Sequence, residues 1–365
     1  MSQLFNGIYD GKKVLVTGHT GFKGSWLCFW LEKMGAQVMG YSLPPPTEPA
    51  HFNCLDLHTG STIGDLRDAI LLSKVICAFQ PEIVFHLAAQ PIVRTSYADP
   101  VGTYASNVIG TLHVCEACRA CPSVRALVAI TTDKVYVNRE WWWGYREIDP
   151  LGGFDPYSSS KACADILLGS YRDSFFNRAA YGSSHHVLLA VARAGNVIGG
   201  GDWAKDRLVP DAARAAGCGQ PLVIRNPRAT RPWQHVLECL SGYLLLCQKL
   251  LEAKSECATA FNFGPPADDV LPVEEVIRHL RIHWPSVTYQ VESSGQQPHE
   301  ARTLTLDCAK ARSILGWVPV WTFDRALEQT ALWYRSYYEK NNVNTQKDLA
   351  LYIEDAKKKG AVWAQ

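Results

Sequence analysis

A tyrosine and a lysine four residues apart are the side chains whose spacing first suggests chemistry. Tyr157 and Lys161 stand in the segment YSSSK, and Asp155-Pro156 just before them is typical of a helix start. Residues four apart lie on one face of a helix, so the ammonium of Lys161 would stand beside the phenol. A nearby positive charge favours the phenolate and lowers the pKa of a tyrosine. The pair therefore predicts a tyrosine that exchanges a proton with a bound molecule.

A second group of polar side chains follows a strongly apolar strand. Thr131-Thr132-Asp133-Lys134 comes directly after the segment ALVAI, and open α/β sheets bind their ligands where the strands end. The hydroxyl of Thr132 could bond a reacting hydroxyl there. Asp133 and Lys134 form either a functional charge pair or an ordinary solvated turn, and their spacing leaves both interpretations open.

A glycine-rich loop near the N-terminus predicts a dinucleotide site. The segment GHTGFKG follows a strand that begins at Lys12 and precedes a helix that begins near Ser25. Glycines at 18, 21 and 24 allow a tight turn, close approach of the backbone to a pyrophosphate, and close helix–strand packing. The N-terminus of the helix offers unpaired N–H groups to that anion. Lys161 could then also hold the ribose hydroxyls next to a nicotinamide.

The end of the second strand carries no acidic residue for a ribose. Tyr41-Ser42-Leu43 occupies that place, so the choice between NAD and NADP is not encoded there. His19 and Lys23 either face a phosphate or lie at the surface. Asp65, in GDLRD, is either an adenine contact or a plain loop carboxylate.

The elements that must position these groups alternate along the first two hundred residues. Continuously apolar runs predict parallel strands buried on both faces, namely Lys12–Gly18, Gln37–Leu43, Glu82–Leu87, Ala126–Thr131 and Val187–Ala192. Helical patterns lie between and after them, at Ser25–Met34, Ala69–Phe79, Asn107–Ala120 and Ser158–Ser174. This alternation predicts an α/β fold with a doubly wound parallel sheet of the Rossmann type.

The pattern changes near residue 200, where glycine and proline become frequent and helices dominate. We expect residues 1–199 to form the dinucleotide-binding domain. Residues 200–340 would form mainly a smaller substrate-binding lobe, with one segment that returns to the sheet. Residues 341–365 would form a helical tail, and its lysines at 357–359 a solvated end.

Composition limits the classes of partner. The 365 residues carry 36 basic and 35 acidic side chains and a net charge of +1, so no overall field attracts nucleic acid or an acidic membrane. The N-terminal segment MSQLFNGIYDGKK has no apolar run typical of a secretory signal. We therefore expect a cytoplasmic protein.

The twelve cysteines show no disulfide or zinc spacing. Cys115, Cys118 and Cys121 could be metal ligands, but steps of three residues place them on one face of a helix, and no histidine or further cysteine pair completes a zinc set. We interpret them as packing residues and expect no metal.

Five segments together resemble the extended short-chain dehydrogenases/reductases. They are GHTGFKG, HLAAQ at 86–90, TTDKVY at 131–136, YSSSK at 157–161 and RAGNVIGGGDW at 193–203. Within that superfamily they resemble the nucleotide-sugar 4,6-dehydratases. Lys134 after Thr132-Asp133, with GYSLPPPTEP, EWWWGYRE and RPWQHV, is similar to the branch that acts on CDP-glucose. The likeness covers nearly the whole chain.

The resemblance implies a role for each reactive side chain. Tyr157 would take the proton from the sugar 4-OH as a hydride leaves C4 for NAD+, with Lys161 and Thr132 assisting. Lys134 would then remove the proton from C5, while Asp133 protonates the departing C6 hydroxyl. The hydride returns to C6, so the cofactor ends unchanged. Related dTDP-sugar dehydratases carry glutamate at the position of Lys134, which leaves the base less firmly assigned than Tyr157.

The resemblance also implies contacts with NAD and with the sugar nucleotide. Residues expected at the cofactor are Gly18, His19, Gly21, Phe22, Gly24, Asp65, Leu66, Leu87, Ala88, Ala89, Tyr157 and Lys161. Residues expected at the substrate are Gln90, Asn196, Arg207, Arg225 and Arg231. Because the protein is almost neutral, local arginines must meet the diphosphate. Trp141–Trp143 are expected in a loop on the substrate side.

Relatives in this superfamily pair through two long helices, so a homo-oligomer is expected. The helices would be Asn107–Ala120 and Ser158–Ser174. Leu112, Cys115, Ile166 and Leu167 fit such a contact, and they fit core packing equally.

Two other functions remain open at this point. A nucleotide-sugar 4-epimerase or decarboxylase needs the same tyrosine, lysine and cofactor, but no acid and base to eliminate a hydroxyl. A binding protein that senses the dinucleotide without catalysis should lack Tyr157 and Lys161. The presence of Asp133-Lys134 favours the dehydratase.

Overall fold

The computed structural model describes residues 1–224, 226–266, 270–292 and 303–365, without the side chains of Arg231 and Val270. Twelve strands lie in these ranges: β1 Lys13–Thr17, β2 Gln37–Ser42, β3 Gly60–Ile63, β4 Ile83–His86, β5 Ala126–Thr132, β6 Leu188–Ala194, β7 Asn196–Ile198, β8 Leu222–Ile224, β9 Thr230–His235, β10 Ala260–Phe263, β11 Val270–Pro272 and β12 Tyr289–Val291. The α-helices there are α1 Phe22–Lys33, α2 Ala69–Phe79, α3 Val93–Ala98, α4 Pro100–Tyr104, α5 Gly110–Ala120, α6 Pro156–Ser174, α7 Leu208–Gly217, α8 Val236–Leu251, α9 Val273–His283, α10 Phe323–Lys340 and α11 Thr345–Lys358.

Seven strands form one parallel sheet in the order β10-β6-β5-β4-β1-β2-β3. The order reverses at β1, which pairs with β2 on one side and β4 on the other; Val14 lies opposite Val38 and Ile83. Such a reversal opens a crevice at the carboxyl ends of the strands, where this class of sheet binds ligands. The predicted doubly wound Rossmann-type sheet is confirmed.

Alternate residues of the central strands enter two separate cores, as the two-residue period of a strand requires. In β1, Val14 and Val16 face a core that includes α1 and α8, while Leu15 faces a core that includes α2 and α5. Because helices cover both faces, every residue of β4, β5 and β6 is buried. This explains why the strands could be recognised as continuous apolar runs.

Several elements of the first two hundred residues differ from the sequence-based expectation, among them the short helices α3 and α4 and the strand β7, which were not predicted. The edge strand β3 was not predicted, because its four residues GSTI alternate between partly buried and exposed and resemble a polar loop. The helix expected over Asn107–Ala120 is longer, since α4 continues through a π-helical turn at Ala105–Ile109 into α5. The bounds of α2 agree with the prediction.

The segments from Asn196 onward build two small sheets and also return to the large one. The order β11-β9-β7 forms a three-stranded sheet and β12-β8 a two-stranded sheet. Strand β10 joins the large sheet beside β6. The tail contains the predicted helix, α11, and the hydroxyl of Tyr352 donates to buried Glu238 at 2.8 Å. The final helix is thus held against α8.

The cysteines at 115, 118 and 121 are buried in the core beside α2 and α5, which confirms the packing interpretation. All twelve cysteines are free thiols. Among the helices in the described ranges, none has both the length and the apolar character that crossing a bilayer requires.

Candidate active site

The glycine loop has the geometry of a dinucleotide cradle. Gly18 has a φ of +77°, and a side chain there would meet the backbone nitrogen of Ala88 at 2.8 Å. A Cβ at Gly24 would stand 2.1 Å from the carbonyl of Gly18. Gly21 caps α1 without a side-chain bond, so the first N–H groups of that helix are free of side-chain caps and suit an anion. The loop therefore fits a pyrophosphate, as predicted from the sequence.

The opposite wall of this cradle is the segment that follows β4. The amide of Ala88 donates to the Thr17 hydroxyl at 3.2 Å, and that hydroxyl bonds Nδ1 of His86 at 2.8 Å. Nε2 of His86 bonds Thr111 at 2.9 Å. Burial lowers the pKa of His86 to about 3, so the ring is a neutral link. These bonds fix Leu87, Ala88 and Ala89 beside the glycine loop.

The two basic residues of the glycine loop have different environments. His19 is fully buried, its Nε2 bonds Ser61 at 2.7 Å, and burial lowers its pKa to about 4. Its ring therefore brings no charge to a phosphate. Lys23 is half-buried, and its charge contributes to the lowered pKa of Lys161. Lys23 thus lies near enough to Lys161 for the two charges to interact.

Small hydroxyls take the place of the missing acid at the end of β2. Thr20 bonds Ser42 at 2.9 Å and donates to the carbonyl of Leu43 at 2.8 Å. Nearby, Asp65 pairs with Arg67, which lowers the pKa of that carboxyl. Leu66 packs on Gly110 in the core, and its carbonyl bonds His113. The predicted adenine and cofactor contacts of Asp65 and Leu66 stay predictions.

Helix α6 carries the tyrosine and lysine, and Asp155 caps it by accepting from the amide of Ser158 at 2.9 Å. Lys161 is buried and donates to the carbonyl of Ile130 at 2.8 Å, and burial lowers its pKa to about 8. Burial raises the pKa of Tyr157 to about 12, opposed by a hydrogen bond with Thr132. The phenol therefore carries its proton at neutral pH.

The sequence suggested that the charge of Lys161 would act on the phenol of Tyr157, but a different positive charge does so. The guanidinium of Arg207 opposes the rise, whereas Lys161 is engaged with the strand carbonyl. Arg207 itself pairs with buried Asp202 at 2.9 Å, an interaction that raises its pKa. This arginine, predicted to meet a diphosphate, thus lies close to the reactive phenol.

The turn after β5 completes the reactive edge. Thr132 donates to the buried carboxylate of Asp133 at 2.9 Å. The ammonium of Lys134 lies 6.0 Å from the centre of the Tyr157 ring. The structure therefore brings the four residues 132–134 and 157 together. Asp133 and Lys134 belong to this edge and are not an isolated solvated turn.

The remaining substrate candidates have varied surroundings. Asn196 begins β7 and lies opposite Trp233. It directly follows Gly195, where a Cβ would lie 3.0 Å from the Asp133 carboxylate. The side-chain amide of Gln90 bonds locally to Ile92 and Thr103. Arg225 and the side chain of Arg231 lie outside the described residues.

The tryptophan loop stands at the same end of β5. Trp142 and Trp143 are 95% and 69% exposed, while Trp141 stacks on Tyr145 with ring centres 5.2 Å apart. The amide of Tyr145 donates to the carbonyl of Thr305 at 2.9 Å. The predicted contact between the tryptophan loop and the substrate stays a prediction.

Several buried polar residues near the site were not predicted from the sequence. Asn107 donates to Ser160 on α6 at 2.9 Å and to the carbonyl of Gln90 at 3.1 Å. Asp165 and Arg193 form an ion pair beneath the reactive edge. A signal for the pair was present, since Arg193 is the one charge that ends the apolar run VLLAVA, and Asp165 repeats the four-residue spacing of the helix.

Comparison with known proteins agrees with this geometry. The family model described as GDP-mannose 4,6 dehydratase matches residues 15–330. A CDP-glucose 4,6-dehydratase from Salmonella typhimurium is 49% identical over 331 residues, which cover 90% of this chain and 92% of that protein. A dTDP-glucose 4,6-dehydratase from Xanthomonas campestris is 26% identical, covering 88% of this chain and 92% of its own.

Solved structures share the fold. The dTDP-glucose 4,6-dehydratase of Bacillus anthracis, in complex with NAD, has a TM-score of 0.72 at 22% identity and covers 90% of this chain and 98% of its own. The UDP-glucose 4-epimerase of Thermus thermophilus, also with NAD, has a TM-score of 0.76 at 24% identity, covering 88% and 99%. From the family match and the 49% identical relative, the chain belongs to the GDP-mannose 4,6 dehydratase family of extended short-chain dehydrogenases/reductases.

Proposed function

We propose that the protein is an NAD-dependent nucleotide-sugar 4,6-dehydratase that converts CDP-D-glucose to CDP-4-dehydro-6-deoxy-D-glucose and water. One observation carries the proposal: Tyr157 lies beside the Asp133-Lys134 turn. Thr132 bonds both Tyr157 and Asp133, and the Lys134 ammonium lies 6.0 Å from the centre of the phenol ring. One edge thus holds groups for oxidation and groups for elimination. The 49% identical CDP-glucose 4,6-dehydratase supports the choice of substrate.

Named side chains move the protons of the proposed reaction. Tyr157 takes the proton of the sugar 4-OH while its own phenol proton passes through the Thr132 hydroxyl to Asp133, and Lys161 holds the helix that carries the phenol. NAD, when bound, would supply a hydride acceptor for C4 and a hydride donor for C6. The 4-keto group acidifies C5–H, and Lys134 takes that proton and gives it back to C5 once C6 is reduced. Asp133 gives its proton to the departing C6 hydroxyl, so one water leaves, each side chain regains its starting state and no net oxidation remains.

The diphosphate needs local positive charge, because the chain as a whole carries only +1. The charge of Arg207 acts on the phenol of Tyr157, and the Arg207 side chain is 36% exposed. We propose that it meets the sugar diphosphate, as an arginine can do with two parallel hydrogen bonds. Asn196, Gln90, Arg225 and Arg231 complete the proposed substrate contacts.

NAD should stay bound through the whole turnover, because the same hydride leaves and returns. The close fit of the glycine loop against Ala88 supports binding of a dinucleotide. Neither Gly18 nor Gly24 leaves room for a side chain. Denatured protein should release NAD, or the enzyme should need only traces of it. A stoichiometric requirement for NADPH contradicts this proposal.

One assay tests substrate and reaction together. The protein is incubated with CDP-glucose, dTDP-glucose, UDP-glucose, GDP-mannose and UDP-glucuronic acid, and products are followed by mass and by the 4-keto chromophore. We expect loss of one water, fastest from CDP-glucose. A product of unchanged mass identifies a 4-epimerase, loss of carbon dioxide from a hexuronic acid identifies a decarboxylase, and no turnover with any sugar nucleotide leaves a non-catalytic binding protein.

The proposed organisation has a dinucleotide-binding domain over residues 1–199, a substrate lobe mainly over 200–340 and a helical tail over 341–365. The strands β8, β9, β11 and β12 and the helices α7 and α9 support a lobe in the second range, and β7, at Asn196–Ile198, joins it from the first. Free thiols at all twelve cysteines support a reducing compartment, and we propose the cytoplasm.

We also propose a homo-oligomer. An apolar surface runs along the helices α3 to α6, on the exposed residues Tyr97, Val101, Tyr104, Ile109 and Ile166. Of the residues expected at such a contact, Ile166 is exposed, whereas Cys115 is buried in the core and Leu167 packs against that core. Light scattering should give a mass above the 40.5 kDa of one chain. A particle of that single mass at micromolar concentration contradicts the proposal.

A further inference from the structure

A buried ion pair lies directly beneath the reactive edge. Nε and Nη2 of Arg193 donate to the two carboxylate oxygens of Asp165 at 2.8 and 2.7 Å. Both side chains are only 4% exposed. The proton transfers of the proposed reaction do not use either group.

On one side, the pair ties α6 to β5. The hydroxyl of Thr131 donates to Asp165 at 3.0 Å. The same helix meets the two neighbouring residues of the strand, because Lys161 donates to the carbonyl of Ile130 at 2.8 Å and Tyr157 bonds Thr132. Each of the successive strand residues 130–132 therefore bonds a residue on one of three successive turns of α6. Asp165 sets the register of Tyr157 and Lys161 on the strand.

On the other side, the pair ties the turn after β5 to the sheet. Nη1 of Arg193 donates to the hydroxyl of Tyr136 at 2.7 Å, and the guanidinium lies 5.0 Å from the centre of that ring. The same hydroxyl donates to Asn262 on β10 at 2.8 Å. Tyr136 follows Lys134 by two residues, so its anchoring limits where Asp133 and Lys134 can stand.

Fold stability alone does not explain such a pair. Removing two charges from water costs about as much as their attraction returns, and apolar residues of similar volume often stabilise a core as well or better. A buried pair between two reactive groups is therefore better explained by the geometry it imposes.

We propose that Arg193 and Asp165 are positioning residues that hold the Tyr157–Lys161 helix and the Asp133–Lys134 turn in mutual register, so that oxidation at C4 and elimination across C5–C6 occur on one bound sugar. The inference rests on the proposed function. In this proposal the guanidinium of Arg193 couples two acid–base centres, one on α6 and the other in the turn after β5.

The first test replaces both charges at once. In Asp165→Leu/Arg193→Met both partners are removed together, so neither charge of the pair stays buried without the other, and the thermal midpoint should stay within a few degrees of the wild type or rise. A misplacement of about 1 Å costs roughly a hundredfold in rate, so kcat should fall about that much while KM changes little. A stable double variant with wild-type kcat overturns the proposal.

Two single variants separate the branches and stand even where the double variant fails to fold. Tyr136→Phe keeps the ring and loses the bond from Arg193, whereas Thr131→Val keeps the shape and loses the bond to Asp165. Single-turnover NADH absorbance reports oxidation at C4, and exchange of the C5 proton with deuterated water reports the next step. Tyr136→Phe should slow exchange more than oxidation, and Thr131→Val should slow oxidation more than exchange. Equal effects of both variants on both steps, or no effect, contradict the proposal.

Failure of the proposed function gives a different result. In that case the wild-type protein itself forms no NADH and no 4-keto product from any sugar nucleotide. The positioning proposal fails only where the wild type is active and the variants match it.

Discussion

The two acid–base centres of the site are built in different ways. Tyr157 and Lys161 stand on a helix of 19 residues, and Lys161 is buried and bonded to a strand carbonyl. Asp133 and Lys134 stand in a turn of three residues, whose place depends on Thr132 and on the anchoring of Tyr136. Regular helix geometry orients the first pair, whereas contacts between distant segments orient the second. The first centre is thus encoded locally and the second by the fold.

Loss of the phenol should have the largest effect. In Tyr157→Phe no group remains to take the 4-OH proton, so the first hydride transfer should fall by roughly ten-thousandfold, the upper range for a general base. Rapid mixing with CDP-glucose should then show no NADH absorbance. Tyr171→Phe is the matched control, since Tyr171 lies on the same helix and bonds Glu116 away from the edge. NADH formation at the wild-type rate in Tyr157→Phe removes this tyrosine from the first step.

Variants of the turn should act later and less strongly. Asp133→Asn and Lys134→Met leave the phenol in place, so oxidation at C4 remains possible while elimination slows by roughly a hundred- to a thousandfold. The enzyme should stall with NADH and an unreleased 4-keto hexose, and the C5 proton should not exchange in Lys134→Met. Lys74→Met is the control, because Lys74 is an exposed residue of α2.

The same variants decide whether the two centres are separate. Full dehydratase activity in Lys134→Met shows that another group is the base. Loss of the first step to the extent seen in Tyr157→Phe assigns Asp133 and Lys134 to substrate binding or to structure.

Thr132 joins the two centres and should give a smaller effect. Its hydroxyl donates to Asp133 at 2.9 Å and bonds Tyr157. A hydrogen bond is worth about 1 kcal/mol net, so Thr132→Val should slow both oxidation and elimination by roughly fivefold, while Thr132→Ser retains most of the rate. Stopped-flow NADH traces and product mass measure the two steps. An effect of Thr132→Val on only one step shows that the hydroxyl serves that centre alone.

The last expected effect is on stability rather than on rate, and it concerns the charge on Lys161. Burial lowers its pKa to about 8 in the folded protein, whereas an unfolded lysine titrates near 10.4. Between these values the unfolded state binds more protons, so this group makes the free energy of unfolding rise with pH. From pH 8 to 9.5 the wild type should gain about 1–2 kcal/mol relative to Lys161→Met.

Urea unfolding at several pH values measures that difference. Tyr157→Phe serves as the control, because the Tyr157 pKa of about 12 lies above the range tested. A constant difference between wild type and Lys161→Met across this range contradicts a desolvated lysine.

Much of the large sheet was predictable, and the exceptions have a physical cause. Strands buried on both faces appear as apolar runs, so β1, β2, β4, β5 and β6 were found within two residues of their ends. The edge strand β3 is half exposed and short, and its composition does not differ from that of a loop. The charge of Arg193 at the end of β6 was part of a recognised motif, yet its partner on α6 was not evident.

The sequence by itself determined the features that depend on neighbours in the chain. These are the glycine loop between strand and helix, the four-residue spacing of Tyr157 and Lys161, and the apolar strands. Only the tertiary structure decided which distant groups meet: Arg207 beside the phenol, Arg193 on Asp165, and Lys134 near the ring of Tyr157. The charges and pKa values of the site residues follow from their burial and from these contacts. Both depend on how separate segments pack, which no local pattern of residues specifies.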